Sequence, residues 1–470
     1  MRLNDLWNMI IRANAGISEN GFLSREMQYF MSSDKYKNMV IGRKYYLGDQ
    51  DINNKVRTMI VEGNQVVSLD NLPNNKICDN KVDDLVDQKV NYLFSKPIEV
   101  KTDNDKVIDV FNRDFHRKLN GVAKDAYIGG IAYLYPYFDK TGTLQFKRLK
   151  PENVIPFWRD EEHTILDAFI YFYDLEVYGL GGVKQKKTYV EYYREDRISY
   201  FVYSNGQLTP DTEKSDAYYI ELDGDSYTWG QVPLIAFKAN DAEQPLICRV
   251  KCLQDALNTM YSNFADNMQE DSRNTILVIK NYDGEDLAQF RRNLATYGAV
   301  KVRTVDGVGG DVDTLEIKVD ASNYGMIMEA LKKSIIENGR GFDAKDERMA
   351  NNPNQMNIMS MYSDIDLDAD QMEMQFQASF EKLMEFVNMA LNIKSEKTAD
   401  DVEFIFNRNT PVNEGDTINN CRNSVGVLSM ETIVANHPWT MNTKEELERL
   451  KAEQMAQLDP DYIQGSALDE

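Results

Sequence analysis

Residues 245–272, PLICRVKCLQDALNTMYSNFADNMQEDS, decide how this chain is read. Leu246, Val250, Leu253, Leu257, Met260, Phe264 and Met268 step by three or four residues. After Pro245 this spacing predicts one long helix with a narrow apolar stripe. Downstream, residues 275–280 (TILVIK) read as a strand, Leu287 to Leu294 as a small helix, and Ala299 to Val305 and Thr314 to Val319 as strands. The glycine-rich run 307–310 joins those last two as a turn. A second helix then carries Tyr324, Ile327, Met328, Leu331 and Ile335 on one face, so a compact α/β module of about fifty residues sits between two helices.

Working outward, residues 24–55 are polar and aromatic. Asn80 to Phe94 predicts a helix, with Val82, Leu85, Val86, Lys89, Val90 and Leu93 at helical spacing and Pro97 ending it. A long stretch rich in β-branched and aromatic residues follows. Turn sequences at 139–142, 179–182, 204–206 and 223–225 separate the runs 168–177, 188–193 and 198–203, which read as antiparallel hairpins. Residues 339–354 hold Gly339, Gly341, Asn351, Asn352 and Pro353 among charges and predict a loop. A third long helix is expected from Asp366 to Asn392, with Met372, Phe376, Phe380, Leu383, Val387 and Leu391 inward. A strand near 402–406 and short helices follow. Thr443 and Glu446 make a capping box for the last of them, and a polar, acidic tail starts at Leu458.

With 470 residues and 42% hydrophobic content the chain can bury a full core, but its formal net charge is -23. A surface that embraces duplex DNA throughout by releasing counterions is excluded at that charge, so any DNA contact must be local or weak. Four cysteines are too few for a disulfide framework, which points to a reducing compartment. Asp5, Asn8 and Arg12 interrupt the apolar residues at the N-terminus, and no window is apolar enough to span a membrane; a soluble intracellular protein is expected.

The search for chemistry finds little. His116, His163 and His437 are scattered and form no HxH or HExxH pattern. Cys248 and Cys252 are one helical turn apart but lack completing ligands and are expected to serve packing. No Gly-Lys dipeptide occurs, so no Walker A loop is present and an ATPase would have to be another protein. Asp364, Asp366, Asp368 and Asp370 imitate an EF-hand start, but Ala369 and Gln375 occupy the positions that need Gly and Glu. These aspartates are better explained as carboxylates at a helix N-terminus. Tyr171, Tyr173, Tyr189, Tyr192, Tyr193, Tyr200, Tyr203, Tyr218 and Tyr219 have few interleaved cations, so most of them suit sheet faces and subunit contacts better than base stacking.

Three groups of motifs carry a resemblance. The first is 45–49 (YYLGD), 72–77 (LPNNKI) and 85–97 (LVDQKVNYLFSKP). The second is 129–136 (GGIAYLYP), 151–156 (PENVIP) and Trp158. The third is 280–284 (KNYDG), 312–315 (VDTL), 362–367 (YSDIDL), 428–432 (LSMET), 436–439 (NHPW) and 445–449 (EELER). In this order, from about residue 45 to about residue 450, the chain resembles the portal, or head-to-tail connector, proteins of tailed bacteriophages, of the type found in siphophages of Gram-positive bacteria.

That resemblance implies an α+β portal fold: an α/β wing, two stem helices bracketing a small α/β clip, a tunnel loop, a long wing helix and a C-terminal helical crown. The divisions would be 1–244 for the wing, 245–272 for stem helix one, 273–320 for the clip and 321–339 for stem helix two. Residues 340–408 would supply the tunnel loop (about 342–354) and long wing helix, and 409–470 the crown and tail. It implies a non-enzymatic dodecameric ring at one capsid vertex, needing no cofactor, through which double-stranded DNA is packaged and ejected. The partners would be terminase, a head-completion adaptor, and the major capsid and scaffolding proteins, with assembly in the host cytoplasm and a final place in the virion.

Candidates nearest the DNA are Lys332 and Lys333 on the second stem helix and Asp343, Lys345, Arg348, Asn351 and Asn352 in the loop. Arg291, Arg292, Lys301 and Arg303 in the clip are candidates for docking or subunit contacts. Another head–tail junction ring protein, or a metal-dependent nuclease, are the alternative readings.

Overall fold

The computed structural model describes residues 18–61, 65–69, 72–179, 182–222, 225–271, 275–280, 311–316, 321–343, 355–399, 401–408, 414–440, 443 and 446–454. In chain order the helices are α1 (Glu19–Ser32), α2 (Asp34–Tyr46), α3 (Lys81–Phe94), α4 (Asp105–Val110), α5 (Arg113–Gly129), α6 (Ile247–Asp271), α7 (Ala321–Asn338), α8 (Gln355–Ile393), α9 (Glu414–Asn423) and α10 (Met430–Ala435). The early strands are β1 (Thr58–Val61), β2 (Gln65–Ser68), β3 (Glu99–Lys101), β4 (Ile131–Phe138), β5 (Leu144–Leu149) and β6 (Val154–Trp158). Then come β7 (Leu166–Tyr178), β8 (Lys184–Tyr193), β9 (Ile198–Ser204), β10 (Gln207–Pro210), β11 (Ile220–Leu222), β12 (Asp225–Tyr227) and β13 (Ile235–Lys238). The last three are β14 (Thr275–Lys280), β15 (Asp311–Glu316) and β16 (Glu403–Ile405). The chain is a mixture of helix and antiparallel sheet.

The chain divides into two compact units. The first holds residues 1–36, 86–245 and 340–470; the second holds 37–85 and 246–339. In the first, five antiparallel strands run in the order β10-β9-β8-β7-β6. Phe22, Leu23 and Met27 of α1 cover one face, against Ala168, Ile170, Phe172, Val190, Tyr192, Phe201 and Leu208. The β9–β10 turn has Asn205 at φ 50° and Gly206 at φ 79°, the two left-handed residues of a tight hairpin, as the Asn-Gly pair predicts.

The other core of this unit is built on α8. Met372, Phe376, Phe380, Leu383, Val387 and Leu391 are all buried, as their spacing predicts. Phe380 stacks on Phe404 at 4.4 Å, and Phe237 meets Phe376 and Phe380 at 5.0 and 5.9 Å. Helix α5 closes on Gly130, at φ 82°, where a Cβ would lie 2.0 Å from the Glu243 carbonyl oxygen; only glycine fits there.

In the second unit α6 and α7 pack on one another, with Phe264 and Tyr324 ring centroids 5.2 Å apart. Between them in sequence, β14 and β15 pair antiparallel from Thr275↔Glu316 to Lys280↔Asp311.

Three expectations are corrected, and α1, α2 and α5 are helices that the periodicity does not indicate. Residues 24–55 are largely helical, in α1 and α2, and α5 lies within the stretch after Pro97 that is rich in β-branched and aromatic residues; its Asn112 cap accepts from the Asp114 and Phe115 N–H groups. Helix α8 begins at Gln355, eleven residues before the expected start at Asp366. Asp364 to Asp370 therefore lie beyond its first turn, where the helix dipole no longer favours them. Cys248 and Cys252 are exposed, so they do not serve packing in the described chain.

Candidate functional site

Along α6 the most deeply buried positions are not the whole apolar stripe. Val250 and Leu257 are buried, but Leu253, Met260 and Phe264 are only half-buried and Met268 is 48% exposed. Gln254, Asn258 and Ser262, by contrast, are fully buried, and Asp266 nearly so. These four are spaced by four residues and present one acceptor each per turn.

An extended strap, residues 75–81, runs antiparallel to α6 and presents an N–H to each of them. Asn75 N–H donates to Asp266 Oδ1 at 2.6 Å, Ile77 N–H to Ser262 Oγ at 3.0 Å, Asp79 N–H to Asn258 Oδ1 at 3.0 Å, and Lys81 N–H to Gln254 Oε1 at 3.0 Å. Two extended residues advance roughly 6.6 Å and four helical residues roughly 6 Å, so the repeats stay in step over this length. The polar ends of the ladder are also used. Gln254 Nε2 donates to the Asp79 carbonyl at 2.7 Å, Asn258 Nδ2 to Gln50 Oε1 at 2.5 Å, and Lys55 Nζ to Asp266 Oδ2 at 2.7 Å. Burial pushes the Asp266 carboxyl up, but the Asn75 N–H and the Lys55 ammonium outweigh this and hold it below the usual range. The sequence reading followed apolar residues and missed these four; their own period of four was the available clue.

The candidate residues fall in different settings. Lys332 is one-third exposed, with its Nζ 5.5 Å from the centre of the Tyr261 ring and 3.8 Å from Glu329. The Tyr261 side chain holds its ammonium above the ordinary pKa. Lys333 is 78% exposed and 3.8 Å from Glu337. Each of these two cations thus has a carboxylate of its own helix nearby. Asp343 is exposed. Lys345, Arg348, Asn351 and Asn352 lie outside the described residues, as do Arg291, Arg292, Lys301 and Arg303, the glycine-rich run 307–310 and the tail from Leu458.

At the start of the candidate loop, in the first unit, α3 holds the backbone directly. Gln88 Nε2 donates to the Phe342 carbonyl at 2.7 Å, and the Phe342 N–H donates to Gln88 Oε1 at 2.9 Å. Lys89, 1% exposed, donates to the Arg340 carbonyl and to Asp368 Oδ2, both at 2.8 Å. The other Asp368 oxygen is 3.5 Å from the Arg340 guanidinium. Asp366 accepts from the Tyr92 hydroxyl and from Arg408, which also reaches Asp370 and Glu373. The aspartates that imitate a calcium loop are, apart from exposed Asp364, acceptors for cations and a hydroxyl, with Asp366 and Asp370 sharing Arg408 and Asp368 taking Lys89 on another face of α8.

A cavity of about 640 Å³ is lined by Trp158, His163, Lys238, Gln375 and Ser379 among others. His163 Nδ1 lies 2.5 Å from Glu243, a buried carboxylate that also receives Lys35 at 2.5 Å. Burial pushes the Glu243 carboxyl up, but Lys35 and His163 bring it below its usual range. Among the described residues no group of three His, Cys, Asp or Glu side chains could hold a metal ion, and no helix is long and apolar enough to cross a membrane. Tyr192, Tyr193 and Tyr219 are core residues, while the Tyr173 and Tyr193 hydroxyls donate to buried Glu191 at 3.0 and 2.7 Å.

The family model described as "Phage portal protein, SPP1 Gp6-like" matches residues 32–458. A portal protein of Clostridium phage phiCD119 is 27% identical over 433 residues, covering 88% of this chain and 91% of the relative. A portal protein of Bacillus phage SPP1 is 26% identical over 445 residues, covering 91% and 85%. Among solved structures, a chain from the virion of a native gene transfer agent particle aligns with a TM-score of 0.38 and 12% identity, covering 75% of this chain and 87% of that one.

Proposed function

Because this chain belongs to the phage portal protein family, whose role is structural, we propose that its copies close into a dodecameric ring at one capsid vertex and form the channel through which double-stranded DNA is packaged and ejected. The observation that carries this reading is the family match across residues 32–458. In this reading residues 1–244 and the long helix α8 belong to the wing, α6 and α7 are the stem, and 273–320 is the clip. The loop at about 342–354 faces the channel, and 409–470 forms the crown. Terminase and the head-completion adaptor dock on the ring, and the major capsid and scaffolding proteins surround it, with assembly in the host cytoplasm.

A conduit must not adsorb its cargo. Each phosphate bound tightly adds counterion-release affinity that sliding would have to break again and again. Beyond buried Asp266, helix α6 carries Asp255, Glu270 and Asp271 in its sequence against only Arg249 and Lys251, and the cations Lys332 and Lys333 sit near carboxylates. Such a wall repels the duplex weakly and offers few grips. Lys345 and Arg348 are then the cations closest to the DNA. Arg291, Arg292, Lys301 and Arg303 serve docking or subunit contacts, where charge sets specificity more than affinity.

The test is electron-microscopic class averaging of the purified protein with native mass spectrometry. Rings of about twelve subunits around a channel are expected, and a closed oligomer lacking a channel would overturn the reading. Reversing Arg291 and Arg292 together is expected to leave the ring intact and to impair terminase or adaptor docking. Normal packaging and head completion in that variant would remove the docking role.

A further inference from the structure

The side chains around Arg340–Phe342 do more than fill space. Gln88 uses both ends of its amide on the N–H and the C=O of one residue, Phe342, at 2.9 and 2.7 Å. That is the reciprocal pairing a neighbouring strand residue makes, so the direction of the backbone at Phe342 is set without a strand. The next residue, Lys89, is buried with Asp368, and its ammonium lies 5.6 Å from the centre of the Tyr127 ring. Burying this pair is costly, and a hydrophobic residue would fill the volume more cheaply. Lysine offers what such a residue lacks, a donor for the Arg340 carbonyl as well as for the carboxylate.

Arg340 itself has φ 51°, a left-handed conformation that a residue with a Cβ adopts only when its surroundings hold it there. Here both its ends are held, the carbonyl by Lys89 and the guanidinium by Asp368. Phe342 then stacks on Tyr362 at 4.3 Å. Tyr362 and Asp368 both belong to α8, which begins at Gln355, and Tyr362 is roughly 10 Å along the axis from that start. Phe342 is therefore held against α8 about two turns from the start of that helix.

We propose that Gln88 and Lys89, both on α3, are positioning residues that fix the backbone at Arg340–Phe342 between α3 and α8, and so set where the chain enters the stretch that follows. Its consequence for DNA rests on the reading of that stretch as the channel-facing loop. Its local part does not.

Hydrogen exchange on the full-length protein tests the local part, and a DNA packaging assay tests the consequence. In Gln88→Leu, exchange at the Phe342 amide is expected to rise about tenfold or more, as for one hydrogen bond lost locally. Exchange at Phe380, deep in the core, should stay unchanged. A merely structural role would instead raise both together. Lys89→Met leaves Asp368 without its ammonium and can fail to fold, so Lys89→Met with Asp368→Leu is the second variant; it too should loosen residues 340–343 selectively. Unchanged exchange at Phe342 in Gln88→Leu, or a rise shared equally with Phe380, would overturn the proposal. Selective loosening with reduced packaging supports both parts. Selective loosening with full packaging upholds the pinning and removes the channel-facing reading.

Discussion

Helix α8 and helix α6 are both held by buried side chains, but α8 is held by rings and α6 by amides, a hydroxyl and a carboxylate. On α8, Phe376 and Phe380 join a cluster with Phe94, Phe237, Phe404 and Phe406, whose attraction depends on area and hardly on direction. On α6, Gln254, Asn258, Ser262 and Asp266 each accept from one particular N–H of the strap. A cluster of rings tolerates small shifts, whereas a ladder of hydrogen bonds does not. Sliding the strap by two residues would bring Pro73, which has no N–H, opposite Asp266. The ladder therefore specifies register, which the non-directional attraction within the aromatic core does not.

The largest effect is expected on the aromatic side. Phe380→Ala removes a ring buried among four others and should cost about 3–5 kcal/mol, read from the denaturant midpoint; a cost under about 1 kcal/mol would mean that the cluster collapses onto the gap. Asn258→Leu should cost about 2 kcal/mol, because it strands the Asp79 N–H and Gln50 Oε1 away from water, and exchange at Asp79 should accelerate. Adding Gln50→Met should recover part of that loss, and strict additivity of the two would argue against a connected ladder. Ser262→Ala, which deletes one acceptor, should cost about 1 kcal/mol and speed exchange at Ile77 most.

The smallest effect is a pH dependence. The Asp266 carboxyl is depressed on folding, so its contribution is complete above the unfolded pKa of about 4 and is lost as pH falls through its lower folded value. Acid titration followed at the Asn75 amide should show this loss, and Asp266→Asn should remove it.

Much of the fold was legible. The inward face of α8 from Met372 to Leu391, the helix ending at Phe94 and the Asn-Gly hairpin at 205–206 all follow from spacing or turn chemistry. What went unread has particular causes. Helices α1 and α2 carry weak apolar periodicity, with only Phe22, Leu23, Met27, Met39 and Tyr45 among their apolar side chains buried. The first turns of α8 bury Ile358, Tyr362 and Ile365 at helical spacing, but exposed Met356 and Met359 and the polar residues between them break up that stripe in the sequence, which places the expected start at the aspartates. Of the candidate site residues only Lys332, Lys333 and Asp343 lie among the described residues, and the residues that organise this region, Gln88 and Lys89, sit some 250 positions away in sequence.

By itself the sequence determined that two helices flank a small strand-bearing insert, that no Walker A motif is present, and, through motifs kept in order along the chain, which family it belongs to. These follow from local periodicity and from order, both of which are one-dimensional. Only the tertiary structure decided which polar residues are buried and what they hold. Gln254 and Asn258 look like solvated helix positions, and Lys89 like a surface lysine, until the strap, Arg340 and Asp368 are brought to them. A buried polar group is stable only beside its partner, and the partner is set by the fold rather than by its neighbours in the chain.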